Sequence, residues 1–493
     1  MEAYTRRYEG VRWEVAFGTY ENEEKFATIE LQRICQHYLP YVLKVAPAQA
    51  ELSHYKEHLI MVGTPESNPL IRQLVDQQII DIPNQKEAYH ISCFSPAWNP
   101  QQRVLCIAGS DPKGVLNGVV DFATLLQGDY IRPERSVEYQ EAFDGIPDFS
   151  ITDYPRIQQR GIWTWGYVIY DYLRFLENMA RLKMNTLIIW NDCPPINITA
   201  ILDKAHELGI RVILGYHWGW GLQINPTDEA DLEKVKHHVI HEYEKAYAHL
   251  DHDGIYFQTF TEVNDLTAGG ETMAKHACNW VNSISKALLE KHPDLTIQFG
   301  IHASSIMEHY MDLNTLDPRV MLVWEDAGVL PYTYDPVPSS VGTSINLSDL
   351  VNSVDKTIAY SKSLIHFRKR GDFAMVAKGW TCLRWGVEFE HHESFILGER
   401  DPEYIRKRFE ERLPRWNYVN QAWFKHYPIA QQFYQELLSD HPTSMLVTLL
   451  VEDGMFEYTI QPSVTLFAQL LWNPSISADQ LMKMALSPYY STC

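Results

Sequence analysis

The sequence predicts a (β/α)8 barrel preceded by a smaller α/β domain. Strand-like and helix-like segments alternate from Gly161 to Leu471. The strand-like segments are near-continuous apolar runs, as expected of parallel strands covered on both faces. Just past their C-terminal ends come acidic, amide, histidine and tryptophan residues, where barrel enzymes carry their chemistry.

At 493 residues the chain has room for two domains, and 45% apolar content is ordinary for a folded protein. Aromatic residues make up 12%, with 14 Trp and 28 Tyr, more than a core alone requires. A formal charge of −21 disfavours nucleic acid, whose phosphates need a basic face. The sequence around Met1 has no apolar signal region, and no run reaches the ~20 apolar residues of a membrane span. Seven cysteines at scattered positions suggest free thiols in the cytoplasm rather than a disulfide framework. The expectation is therefore a cytoplasmic protein with no membrane or nucleic-acid partner; composition is silent on oligomeric state.

Residues 1–135 read as one unit. Strands are expected at Arg12–Phe17, Tyr41–Ala46, His58–Val62, Ala88–Phe94 and Arg103–Ala108. Helices are expected near Glu23–Tyr38 and Pro69–Gln77. Another begins at Asp111-Pro112, where an acidic cap and a proline start a helix that runs to Gln127. Residues 136–155, rich in Pro and acidic side chains, read as a linker.

The barrel is expected over 156–475. Its strands are Gly161–Trp165, Thr186–Trp190, Arg211–Tyr216, Asp253–Glu262, Leu295–Ile301, Val320–Trp324, Phe373–Ala377 and Ser444–Val451. Helices fall between them, for example at Tyr170–Leu182, Ile198–Leu208 and Glu271–Lys291. Residues 381–443 read as an insertion before the last strand, and 476–493 as a C-terminal tail. The absence of a Gly-rich phosphate loop after the first strand disfavours a doubly wound sheet.

If the strand order holds, one mouth collects Trp163, Trp165, Trp190, Asn191, Asp192, His217, Trp218, Asn264, His302, Trp324, Lys378, Trp380 and Glu452 as substrate-binding residues. Glu262, Asp326 and Glu325 are the candidate catalytic carboxylates. Glycosidic cleavage needs one carboxylic acid to protonate the leaving oxygen and a second carboxylate to activate water or attack carbon. Glu262, at the end of the fourth strand, is the expected general acid. Asp326 is the expected second carboxylate, with Glu325 and Glu452 as rivals. Adjacent residues on a strand end point to opposite faces, so only one of Glu325 and Asp326 can face the mouth. Indole faces suit the C–H surfaces of sugar rings, and amides, imidazoles and carboxylates suit hydroxyls. No paired-histidine motif supports a metal, and no cofactor is expected. A uronic acid substrate would need a cation in the cleft, with Lys378 the first candidate and Arg160 and Arg384 next.

The helix Gly114-Val-Leu-Asn-Gly-Val-Val-Asp-Phe-Ala-Thr-Leu-Leu-Gln127, closing an α/β domain ahead of a barrel, resembles the layout of glycoside hydrolase families 20, 67 and 84. The resemblance implies a glycosidase of hexosaminidase-like or α-glucuronidase-like type acting on a carbohydrate. Family 20 enzymes carry an Asp-Glu pair at the fourth strand, where the Asp steers the substrate's own acetamido group. Here the pair is Thr261-Glu262, which favours a two-carboxylate mechanism over substrate assistance. The alternatives are a substrate-assisted β-N-acetylhexosaminidase and a catalytically inactive carbohydrate-binding barrel.

Overall fold

A computed structural model describes residues 11–127, 143, 145–219, 222, 224–260, 265–301, 306–325, 351, 353–381, 395–453 and 456–491. The first unit is a six-stranded mixed sheet built from β1 (Trp13–Phe17), β2 (Lys44–Pro47), β3 (His58–Gly63), β4 (Tyr89–Phe94), β5 (Val104–Gly109) and β6 (Phe149–Asp153), in the order β2-β1-β3-β5-β4-β6. The first four strands in that order run parallel, and β4 is antiparallel to both β5 and β6. Part of the stretch read as a linker is thus the edge strand β6, whose modest apolar content suits a sheet edge.

Helices α1 (Asn22–Tyr38), α2 (Pro69–Asp76) and α3 (Pro112–Gln127) flank this sheet. The Asp111 side chain accepts the Gly114 N–H at 2.8 Å and caps α3 as its sequence predicts. Gly114 is demanded by packing, because a Cβ there would drive into the Ala88 carbonyl. Every residue of α3 from Lys113 to Leu126 is buried. A helix covered on all sides lies between layers, and α3 joins the sheet to the second unit.

That unit is a closed parallel barrel. Its strands are β7 (Gln159–Trp165), β8 (Thr186–Trp190), β9 (Arg211–Gly215), β10 (Gly254–Gln258), β13 (Ile297–Ile301), β14 (Val320–Trp324), β15 (Phe373–Thr381) and β16 (Met445–Glu452), with β16 pairing back to β7. A small hairpin, β11 (Thr267–Ala268) with β12 (Glu271–Thr272), stands between β10 and the next helix. The outer layer holds α4 (Tyr172–Arg181), α5 (Ile198–Glu207), α6 (Glu229–Glu242), α7 (Met273–Lys291), α8 (Val354–His366), α9 (Pro402–Ser439) and α10 (Pro462–Trp472). Side chains of Asp171, Asp228 and Thr272 cap α4, α6 and α7 by accepting first-turn N–H groups. Much of the stretch read as an insertion is α9, which occupies the regular crossover position between the last two strands. Its Trp423, Phe433, Tyr434 and Leu437 are buried. The tail adds α11 (Ala478–Ala485) and a short turn at Pro488–Ser491, which return to the first unit.

The N-terminal end of the barrel meets the first unit through buried ion pairs. Lys183 Nζ lies 2.8 Å from Asp121 Oδ1 and donates to Gln469 at 3.1 Å, while Tyr89 donates to Asp121. Arg160, at the start of β7, pairs with Glu87 and donates to the carbonyls of Ile157 and Lys183. Arg160 therefore belongs to the junction, at the end of the strand opposite the mouth, and is not a cleft cation. Burial would raise the Glu87 pKa, but the charges of Arg160 and Lys113 and an Asn185 hydrogen bond lower it overall. Arg181 reaches Glu30 at 2.9 Å, and Lys113 donates to the Leu208 carbonyl at 2.7 Å. Trp472 lies amid this network, stacked on Tyr89 with Lys183 Nζ 4.3 Å from its ring.

Candidate active site

The site grows from β10. Its Phe257 faces outward, stacked on Trp218 at 3.5 Å and on Phe299 at 5.1 Å between ring centroids. Alternation then turns Tyr256 and Gln258 into the barrel. From β14, Trp324 packs outward against Tyr360 of α8, so the next residue, Glu325, turns inward. Its N–H pairs with the Ile301 carbonyl at 3.1 Å, which extends the ladder one residue beyond the strand. The Tyr256 hydroxyl and the Gln258 amide both donate to Glu325 Oε1. Between them stands Gly300 of β13, where a Cβ would collide with both the Tyr256 hydroxyl and the Glu325 carboxylate. Burial, reinforced by the Glu325 charge, pushes the Tyr256 pKa far up and keeps its hydroxyl a donor.

Beside this carboxylate stands an aromatic box. Trp163 and Trp165 of β7, Trp190 of β8 and Tyr256 meet with ring centroids 5.5–6.4 Å apart. Strand pairing brings them together, since Trp165 is in register with Trp190, and Trp190 with Gly215. At Gly215 a side chain would strike the Trp190 ring, so the glycine leaves that ring its place.

Several polar atoms at this end are buried without a hydrogen-bond partner among the described residues. They are Asn191 Nδ2, His217 Nδ1 and Gln298 Oε1. Asn191 is anchored by its other amide atom, which accepts the Gly166 N–H at 3.0 Å. Burial lowers the His217 pKa; the charge of Asp192 opposes this, and His238 adds to it. A neutral imidazole there can both donate and accept. Gln298 lies opposite Tyr256 in the β10–β13 pairing and so shares the interior face. Glu452 ends β16, wholly buried and in register with Thr381. Lys378 sits half-buried in an irregularity of β15 between Ala377 and Trp380.

Trp218, Trp324 and Trp380, expected in the mouth, belong instead to the layer between strands and helices. Trp218 and Trp324 pack as described above, and Trp380 stacks on Trp423 of α9 at 3.8 Å. Their phase along the strands turns them outward, and neighbouring rings cover them. Glu262, Asn264, His302 and Asp326 lie outside the described residues, as does Arg384.

Asp453, next to Glu452, is a structural clamp with positive φ, held by Arg408, Arg412 and the Tyr170 hydroxyl. The sequence reading passed over Tyr256, Gln258, Gln298 and Glu457. Glu457 accepts the Tyr170 N–H at 2.9 Å, and burial raises its pKa to about 7 despite that bond. A polar residue such as Gln258 or Gln298 inside an otherwise apolar strand was the available signal for two of them. Among the described residues no group of three or more His, Cys, Asp or Glu side chains is placed to hold a metal ion.

No protein-family model matches the chain, and no curated protein matches it. Solved structures do. One is described as a GH138 enzyme targeting pectin rhamnogalacturonan II, with TM-score 0.51 and 12% identity over 95% of this chain and 52% of that one. Another is CpGH84B, with TM-score 0.50 and 13% identity over 96% of this chain and 70% of that one. The chain shares their fold. It spans about half the length of the GH138 enzyme. The second neighbour carries the family 84 designation to which the domain layout is similar.

Among the described residues no helix is long and apolar enough to cross a membrane.

Proposed function

We propose that the mouth of the barrel hydrolyses a glycosidic bond. The observation that carries this reading is Glu325, fixed by Tyr256 and Gln258 inside the barrel beside the indole box of Trp163, Trp165 and Trp190. An anionic carboxylate next to flat apolar rings suits a sugar ring that gains positive charge as its bond to the leaving oxygen breaks. Glu262, four residues beyond the end of β10 in the chain, is the general acid: its proton goes to the leaving oxygen as the C–O bond cleaves. Glu325 is the second carboxylate, with Asp326 its rival. It either takes a proton from the attacking water or forms the glycosyl bond that water then breaks, and the product gains one water in both cases. Asn191, Asp192 and His217 bind hydroxyls, and Lys378 is the first cation an acidic sugar would meet.

The GH138 and GH84 neighbours support a carbohydrate substrate as the starting hypothesis. A cytoplasmic setting suits Cys35, Cys93, Cys106 and Cys278, none of them in a disulfide. The test is a panel of aryl glycosides: α-glucuronide, β-N-acetylglucosaminide, β-N-acetylgalactosaminide and the neutral α- and β-hexosides. Release of the aryl group from at least one, reduced far less by Glu262→Gln than cleavage of the matching glycoside with a poor leaving group, supports the reading. Turnover of a β-N-acetylhexosaminide would move the mechanism toward substrate assistance. Sugar binding without hydrolysis of any member would replace the enzyme by a binding barrel.

A further inference from the structure

The hydrogen bonds around Glu325 assign roles to two residues that bear no charge. Resting on the glycosidase reading above, we propose that Tyr256 and Gln258 are positioning residues that hold Glu325 as an ionised carboxylate with fixed orientation. Both donors converge on one oxygen, Oε1. A carboxylate accepting two hydrogen bonds is stabilised against its neutral acid, which has less negative charge to offer them. The same bonds restrain rotation of the carboxylate, so its second oxygen is held in one direction. Tyr256 is fully buried and stays protonated, so it donates over the working pH range.

Gly300 is the independent observation. The only side chain β13 could add at this point would occupy the space where the tyrosine hydroxyl meets the carboxylate. The strand is open there to let two opposed side chains touch. Among the described residues, Tyr256 and Gln258 on β10, neutral Gln298 on β13 and Glu452 at the end of β16 share the barrel interior with Glu325. The indole box and Asn191 stand at the ends of β7 and β8, with Asp192 next in the chain and Lys378 in the irregularity of β15. Glu262 and Asp326 lie outside the described residues. A role for Glu325 as the ionised partner leaves proton donation to Glu262.

The test reads Glu325 directly. Difference infrared spectra across a pH titration of the full-length protein report its protonated-carboxyl band, identified by loss in Glu325→Gln. Tyr256→Phe should move the midpoint of that band up by about 1–2 pH units, the amount expected when a hydrogen bond to a charged group is removed. Gln258→Leu should move it in the same direction, and Gly300→Ala should do so without altering either donor. The acid limb of kcat/KM should follow the same shift, with kcat falling more than KM rises. An unmoved midpoint in folded Tyr256→Phe and Gln258→Leu would overturn the proposal. A shifted midpoint in a protein that cleaves no glycoside would uphold the positioning role and remove only the glycosidase reading.

Discussion

The two ends of the barrel carry similar residue types and use them differently. At the N-terminal end, buried charge is matched: Lys183 has Asp121 and Gln469, Arg160 has Glu87 and three carbonyls, and Arg181 has Glu30. At the C-terminal end, Asn191, His217 and Gln298 each bury a polar atom with no partner among the described residues. The difference separates the work of the two ends. The lower end holds the domains together, and on the glycosidase reading proposed above the polar atoms of the upper end are there to meet a sugar.

That contrast predicts opposite mutational signatures. The largest effect should come from the upper end. Glu262→Gln should lower turnover of a glycoside with a poor leaving group about 10²- to 10⁴-fold, and that of an activated aryl glycoside much less. Thermal unfolding should hardly change; equal losses on both substrates would point to a structural role. At the lower end, Lys183→Met leaves Asp121 buried without its cation and should cost about 3–5 kcal/mol of stability in denaturant titrations. KM of the folded fraction should stay put, and pairing the change with Asp121→Leu should restore much of the loss. A rise in KM from Lys183→Met alone would blur the division between the ends.

The smallest effect is pH-dependent. Burial pushes the Glu30 carboxyl up, but Arg181 and then Arg33 outweigh it and bring its pKa from 4.5 to about 2. The folded value is the lower one, so the contribution to stability is complete above pH 4.5 and fades as the pH falls toward 2. Glu30→Gln should flatten the acid side of the stability curve, by about 3 kcal/mol at most. An unchanged acid slope would show that the carboxylate is not held low.

The strands were legible because each is an apolar run of the right length closed by polar residues. Alternation also made clear that Glu325 and Asp326 could not both face inward. The facing of single indoles was not legible. Trp190 and Trp324 both end apolar strands, yet one enters the aromatic box and the other packs on α8. Which face is the interior depends on register between neighbours, as in the pairing of Trp165 with Trp190 and Gly215, and local sequence does not contain it. The junction was hidden for a related reason. Lys183 follows a helix and adopts a positive φ, the marks of an exposed turn, but another domain covers it.

The return of the tail to the first unit bears on how the protein is made. The Tyr489 hydroxyl donates to Glu30 at 3.0 Å, across 459 positions of the chain. A ribosome finishes the six-stranded sheet's residues before Arg181 is made, and long before Tyr489. Until then Glu30 has only Arg33 and Asp121 only Tyr89 of their partners, and Glu87 waits for Arg160 and Asn185. Completion of the barrel covers these carboxylates, and a segment synthesised after the barrel closes a contact begun by α1.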